Sequence, residues 1–348
     1  MNLNREKCYN YNNGGDLMVS LYEKYFMKQK MMRTVLIALL PILLFSIYVF
    51  GWRVLALTVF NCIIACLIEF ICESKIYNRK KISEAAIISS VLYTMTLPVS
   101  IPFWMSAVGI AFAIFFGKAV FGGFGKNVFN PALVGRVFVY VNFPQPLTIN
   151  WNEAVFGGIG ALNKWANPLI DQVTTATPML AFRNAGQMTN YLDLFLGRIP
   201  GAIGETSKLL ILIGAAYLIY KKVASWEIML SSAIGLTIMT LIFNFMKVES
   251  IPNPIFQMLS GGFLLGAVFM ATDPISAPKT KPAKFIYGII IGIVCVIIRG
   301  FALFSEGMMF AVLIGNIFAP IMDYIVRERK KAKKNKLAKE TNKWKRNL

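Results

Sequence analysis

The stretch Asp171-Gln-Val-Thr-Thr-Ala-Thr-Pro178 places three hydroxyls within four positions, in the longest polar gap of a strongly apolar chain. A threonine hydroxyl is a weak nucleophile unless a base draws off its proton. Histidine is absent, so no imidazole serves as that base, and haem or metal sites built on imidazole are excluded as well. Two readings are left for Thr174, Thr175 and Thr177. They form a turn or cap a helix starting near Pro178, or one of them is a target that a second protein modifies.

A second chemical stretch is Lys118-Ala-Val-Phe-Gly-Gly-Phe-Gly-Lys-Asn-Val-Phe-Asn-Pro-Ala-Leu-Val-Gly-Arg136. Gly122, Gly123 and Gly125 permit a tight backbone that side chains would block. Asn130 followed by Pro131 is a helix start, with Asn as the cap and Pro in the first turn. Free N–H groups at such a start bind anions or a cofactor; the alternative is a re-entrant turn that needs glycine only for packing. The glycine spacing is not that of a dinucleotide fold. Arg136 is costly inside an apolar segment unless it is paired or faces a polar cavity, and Glu69, Asp273 and Asp323 raise the same question. The three carboxylates are candidates for an ion path, although Asp323 is close enough to a segment end to snorkel. No metal site is expected. The five cysteines make no CxxC pair, and they read as small apolar fillers or as part of a cluster shared with another protein of a complex.

These groups must be positioned in a bilayer. Hydrophobic residues make up 56 % of the 348, and the mean hydropathy is +0.58. Ten apolar segments are expected, at 34–52, 54–73, 84–98, 102–121, 129–143, 207–220, 226–245, 256–272, 285–299 and 308–326. The third, fifth and sixth are short enough to be half-helices. The fold class is therefore an all-α polytopic membrane protein. No cleavable leader is expected, because the first apolar run is flanked for spanning. The net charge of +19 does not indicate nucleic acid, because Lys and Arg gather at the ends of apolar runs. They alternate between connections in a way that puts both termini in the cytoplasm and the slightly acidic 145–206 gap outside. The basic tail 327–348 suits a lipid surface or a docking partner.

The two halves look alike. Thr96-Leu-Pro-Val-Ser-Ile-Pro102 matches Thr272-Asp-Pro-Ile-Ser-Ala-Pro278, and Ala132-Leu-Val-Gly-Arg-Val-Phe138 matches Val312-Leu-Ile-Gly-Asn-Ile-Phe318, in the same order and at nearly one offset. A duplicated unit of five segments is odd-numbered, so its copies run inverted through the membrane. The expected organisation is a cytoplasmic N-terminal tail (1–33), a first five-helix repeat (34–143), an extracytoplasmic loop (144–206), a second repeat (207–326) and a cytoplasmic tail (327–348).

Three stretches together resemble one family: Gly122-Gly-Phe-Gly-Lys-Asn-Val-Phe-Asn-Pro-Ala132, Phe269-Met-Ala-Thr-Asp-Pro-Ile-Ser-Ala-Pro278, and Asp171-x-x-Thr174-x-Ala-Thr177. The family is the one shared by RnfD, a membrane component of the Rnf complex, and the B component of the sodium-pumping NADH:quinone oxidoreductase. The likeness covers nearly everything after residue 30. It implies an inverted five-helix repeat resembling urea and ammonium channels. It implies that a flavin transferase attaches FMN through a phosphoester to Thr177, with Asp171, Thr174 and Ala176 as recognition positions. Thr175 departs from the pattern, where the family usually has glycine. A non-covalent riboflavin is a further expectation. Between the branches the expectation is RnfD, on the short polar N-terminal region. Its implied setting is the bacterial inner (cytoplasmic) membrane. The implied partners are the other Rnf subunits (A, B, C, E and G), with ferredoxin and NAD reached only through them, and Na+ or H+ moved. The competing readings are a channel or transporter of the same fold without redox chemistry, and a structural subunit whose Thr177 is never modified.

Overall fold

The computed structural model describes residues 25–79, 81–168, 177–302 and 306–346. Asp171, Thr174, Thr175 and Ala176 lie outside the described residues. The protein is an all-α polytopic membrane protein. The first half runs α1 (Lys30–Phe50), α2 (Arg53–Tyr77), α3 (Glu84–Met95), α4 (Phe103–Ile114) and α5 (Pro131–Asn142). Short helices α6 (Pro144–Thr148), α7 (Pro178–Ala185) and α8 (Tyr191–Leu196) occupy the connection. The second half runs α9 (Lys208–Tyr220), α10 (Trp226–Phe245), α11 (Pro254–Leu259), α12 (Phe263–Leu265), α13 (Lys281–Phe301) and α14 (Met308–Arg346). A two-residue parallel pair, β1 (Phe26–Met27) with β2 (Ile82–Ser83), ties the segment before α1 to the start of α3.

Among the described residues, five helices, α1, α2, α10, α13 and the apolar part of α14, are long and apolar enough to cross a membrane. Their surfaces match the solvent they are made for. On α2, Leu55, Val59, Ile63, Leu67 and Ile71 recur every fourth residue and are all exposed, an aliphatic stripe that water would disfavour and lipid tails do not. Several polar residues of this bundle point inward and pair with one another. Asn61 donates to Thr94 Oγ1 at 2.8 Å and accepts from Ser106 Oγ at 2.8 Å. Left unpaired in a dry interior, each such group would cost about 1–3 kcal/mol.

Short helices appear where the chain is broken by sequence. Both halves stop an apolar run at a T-x-P turn: α3 ends at Met95 before Thr96, and a π turn at Gly266–Met270 ends before Thr272. A second π turn, Phe115–Ala119, closes α4. The halves also share a packing order, α4 against α2 and α5 in the first, α13 against α10 and α14 in the second. In the second half this contact is backbone on backbone. A Cβ on Gly292 would lie 2.2 Å from the Ser232 carbonyl oxygen and 2.4 Å from the Leu236 nitrogen.

Candidate functional site

The candidate residues do not converge on one place. They separate to the two ends of α13, whose 21 residues rise about 30 Å.

At one end lies the glycine loop. Gly122, Gly123 and Gly125 all have positive φ, which explains the residue type. Gly123 is further constrained, because a Cβ there would sit 2.3 Å from Glu73 Oε1. The first π turn carries Lys118 inward, and its ammonium donates to both Glu69 carboxylate oxygens (3.0 and 2.9 Å) and to Ser83 Oγ (2.5 Å). Lys118 and Glu69 are both buried, so the pair meets the condition for an ion in a low-dielectric interior. Asn130 caps α5 as its sequence suggests: Oδ1 accepts from the Ala132 N–H at 3.1 Å, and Pro131 opens the helix. Asn130 also joins the halves, donating from its backbone to Asn316 Oδ1 (3.2 Å) and from Nδ2 to the Met270 carbonyl (3.3 Å). Asp273 accepts from Ile275 N–H and Ser276 Oγ in the turn opposite.

Between these groups is a narrow cleft of about 50 Å³, well below the roughly 300–1,000 Å³ of cofactor sites. Lys118, Phe124, Asn130, Asp273 and Phe269 line it. The two π turns thus bring Lys118 and Phe269 to one cleft from opposite halves, and such turns are frequent at functional sites. Asp323 stands apart from it. Its carboxylate accepts from the backbone N–H groups of Lys279 (2.7 Å) and Thr280 (2.9 Å) and from Thr280 Oγ1, which makes it a cap on the start of α13.

At the other end are Arg136 and Thr177. Arg136 is buried and donates to Glu306 Oε2 at 2.6 Å. Thr177 is half-buried at the cap of α7, where Oγ1 accepts from Leu180 N–H at 3.4 Å. The helix is held there by a small satellite core, in which Met179, Leu194, Ile199 and Phe256 are buried against Phe182 and Leu259. Thr177 lines a cavity with Glu205, Thr206, Lys208, Gly261 and Glu306. A neighbouring cavity shares Glu205 and Glu306 and adds Arg136, Thr96 and Met270, so it reaches both T-x-P breaks. Burial, and next the charge of Glu306, push the Glu205 carboxyl well above the usual carboxylate range.

The geometry fits a flavin phosphate at Thr177. The hydroxyl is held by one long hydrogen bond, it stands at the positive end of a helix, and it shares a cavity with Lys208 and the unpartnered Thr206 hydroxyl. Motif and spacing point to Thr177, Asn130, Pro131 and the glycines, but they miss Lys118, Glu205, Lys208, Arg299 and Glu306 as members of these clusters. The only sequence signal of those five is charge beside or within an apolar run, and pairing between distant segments makes the clusters.

Residues 23–332 match the model of the NQR2, RnfD, RnfE family. The chain belongs to that family. Within it, the chain is similar to proteins named as the B component of Na(+)-translocating NADH-quinone reductase. The protein from Yersinia pestis is 39 % identical over 261 residues, 72 % of this chain and 61 % of the relative. That from Neisseria meningitidis serogroup B is 39 % identical over 272 residues, 74 % and 64 % respectively. Klebsiella pneumoniae (strain 342) has one at 39 % over 264 residues, 72 % and 61 %. The chain thus spans less than two thirds of the length of each of these family members.

Proposed function

We propose that this protein is the flavin-carrying membrane subunit of an ion-translocating oxidoreductase complex, with FMN joined by a phosphoester to Thr177. Bound flavin supplies electron transfer between the subunits on either side. The protein's part is to hold that flavin at a fixed place. The observation that carries the reading is the setting of the motif threonine: half-buried, capping α7, beside a cavity lined by Lys208 and by the unpartnered Thr206 hydroxyl. The chain has no histidine to serve as a base, and the reading assigns that role to a separate flavin transferase. The new bond joins Thr177 Oγ1 to phosphorus; the hydroxyl proton goes to the transferase, and the leaving group departs from an activated flavin phosphate.

The test is to express the chain with a flavin transferase and look for flavin fluorescence in the denatured band. The expected result is a fluorescent band that disappears in Thr177→Ala. No band, or one that survives the substitution, rejects the assignment.

A second, non-covalent flavin such as riboflavin belongs to this reading only through the family resemblance, because the cleft of about 50 Å³ beside the glycine loop is too small to hold it in this conformation. The ten segments form an inverted repeat, with the termini and glycine loop on the cytoplasmic face of a bacterial inner membrane and Thr177 on the other. Glu69, Asp273 and Asp323 are candidates for the Na+ or H+ path. If Glu69→Gln and Asp323→Asn both leave sodium-dependent turnover unchanged, the path does not use them.

The motif resemblance leads to RnfD, a component of a ferredoxin:NAD+ oxidoreductase that also contains Rnf subunits (A, B, C, E and G). The 39 % identity to the B component of the quinone reductase supports the alternative branch. The acceptor or donor of the purified complex, ferredoxin or quinone, separates the two.

A further inference from the structure

We infer that the buried basic cluster beside Thr177, formed by Lys208, Arg136 and Arg299, is the counter-charge for a phosphodiester carried on that threonine. The inference rests on the reading of Thr177 as a flavin acceptor and deepens it by naming what receives the phosphate.

The cluster is unusual in its balance. Lys208, Arg136 and Arg299 are each 1 % exposed, and they come from three elements, α9, α5 and α13. Only Arg136 has a carboxylate partner, Glu306. The Lys208 ammonium donates to the carbonyls of Glu205 and Thr206. Arg299 donates to the Gln257 carbonyl (2.6 Å), to Gln257 Oε1 (2.9 Å) and to the Ser260 carbonyl (3.1 Å). Neither has a carboxylate within ion-pair reach among the described residues. Facing the three basic side chains are Glu205 and Glu306, and burial pushes the Glu205 carboxyl up and the Lys208 ammonium down, each toward its neutral form.

Buried basic groups without a carboxylate partner are costly, and a bound anion would hold them in the charged form that burial otherwise disfavours. The hydrogen bonds are incomplete in the same sense. Arg136 Nε and Nη1, Arg299 Nε, Gln257 Nε2 and Arg183 Nη1 are buried donors without partners, and Thr206 Oγ1 is a buried hydroxyl without one. Thr206 and Lys208 line the cavity that Thr177 itself lines. The first turn of α7 adds the positive end of an eight-residue helix next to Thr177 Oγ1. Charge, orphaned donors and helix end therefore all call for an anion, and the Thr177 cavity touches each member: Lys208 lines it, Arg136 lines the adjoining cavity that shares Glu205 and Glu306, and Arg299 lies against its Gly261. A phosphodiester brings a single negative charge and two free oxygens, which matches a site that needs charge and acceptors but has little room. The Glu306 carboxylate on the same wall favours one such charge over a phosphate monoester with two.

The prediction concerns coupling between the attached group and the cluster. The full chain is prepared with and without flavin transferase, as wild type and as Lys208→Met, Arg136→Lys and Arg183→Gln, and the thermal midpoint in detergent is measured. Attachment should raise the wild-type midpoint by a few °C, on the scale of roughly 2–4 °C for each kcal/mol gained. That gain should fall by at least half in Lys208→Met and Arg183→Gln, and be largely kept in Arg136→Lys, where the charge remains. Arg183 is only half-buried, so its variant keeps the test open if Lys208→Met does not fold. An equal gain in all the variants, or none in a fluorescent wild type, overturns the inference and leaves Thr177 as the acceptor. A wild-type band without flavin rejects the acceptor assignment and this inference together. A lipid phosphate is the other source of such a group. If unflavinylated Thr177→Ala gains the same stabilisation from phosphatidylglycerol as the wild type gains from attachment, the cluster serves lipid and the inference fails.

Discussion

Lys118 and Glu69 show how a single charge is made tolerable in a bilayer protein. Each is buried, and each has the other plus Ser83 within hydrogen-bond distance. Removing one partner leaves the other as an uncompensated ion, which costs about 3–5 kcal/mol, whereas removing both restores most of the loss. Lys118→Met is therefore expected to lower the thermal midpoint sharply, and Lys118→Met with Glu69→Gln to recover most of it. A double variant no better than the single would show that the pair is not the reason these residues are held there. Sequence singles out Glu69 by depth alone. Its partner is invisible there because Lys118 lies 49 positions away and meets it only through the π turn that closes α4. Thr177 is legible for the opposite reason: motif, cap and following proline are all local.

At the level of elements, hydropathy places the apolar helices because burial in lipid is a property of composition. It does not place the π turns or the short helices α6 and α8, which depend on neighbours. Nor does it read Asp323, close to a segment end, as a cap that fixes the start of α13 by binding two backbone N–H groups. The contact of α13 with α10 is equally hidden in sequence, where Gly288 and Gly292 are two glycines among many. In the structure their missing side chains allow the helices to touch, and a Cβ on Gly288 would meet the Ile228 carbonyl oxygen at 2.7 Å. Because the atoms met at Gly292 are backbone, they cannot swing aside. Gly292→Leu should therefore separate the two helices and give aggregated protein on size exclusion, while Gly125→Ala, with open space around it, should stay monodisperse and lose only what positive φ costs. A monodisperse Gly292→Leu would contradict the packing argument.

The whole molecule arranges its chemistry at two ends. The glycine loop, the cap at Asp323 and the start of the basic tail are together at one; Thr177, Glu205, Lys208 and Arg299 are at the other. Small cavities along the join of the two halves lie between them, lined in turn by Asn130, Met270, Arg136 and Glu205. A membrane-impermeant thiol reagent should thus label Lys126→Cys and Leu192→Cys, both exposed, from opposite faces of the membrane. Labelling of both from the same face would break the arrangement. The central claim, that Thr177 carries the flavin, is tested most directly by peptide mass spectrometry of the chain made alongside a flavin transferase. The account predicts a peptide spanning 171–178 that is heavier by one FMN less one water, with fragmentation placing the group on Thr177. The same peptide unmodified throughout, or carrying its flavin on Thr174 or Thr175, would contradict it.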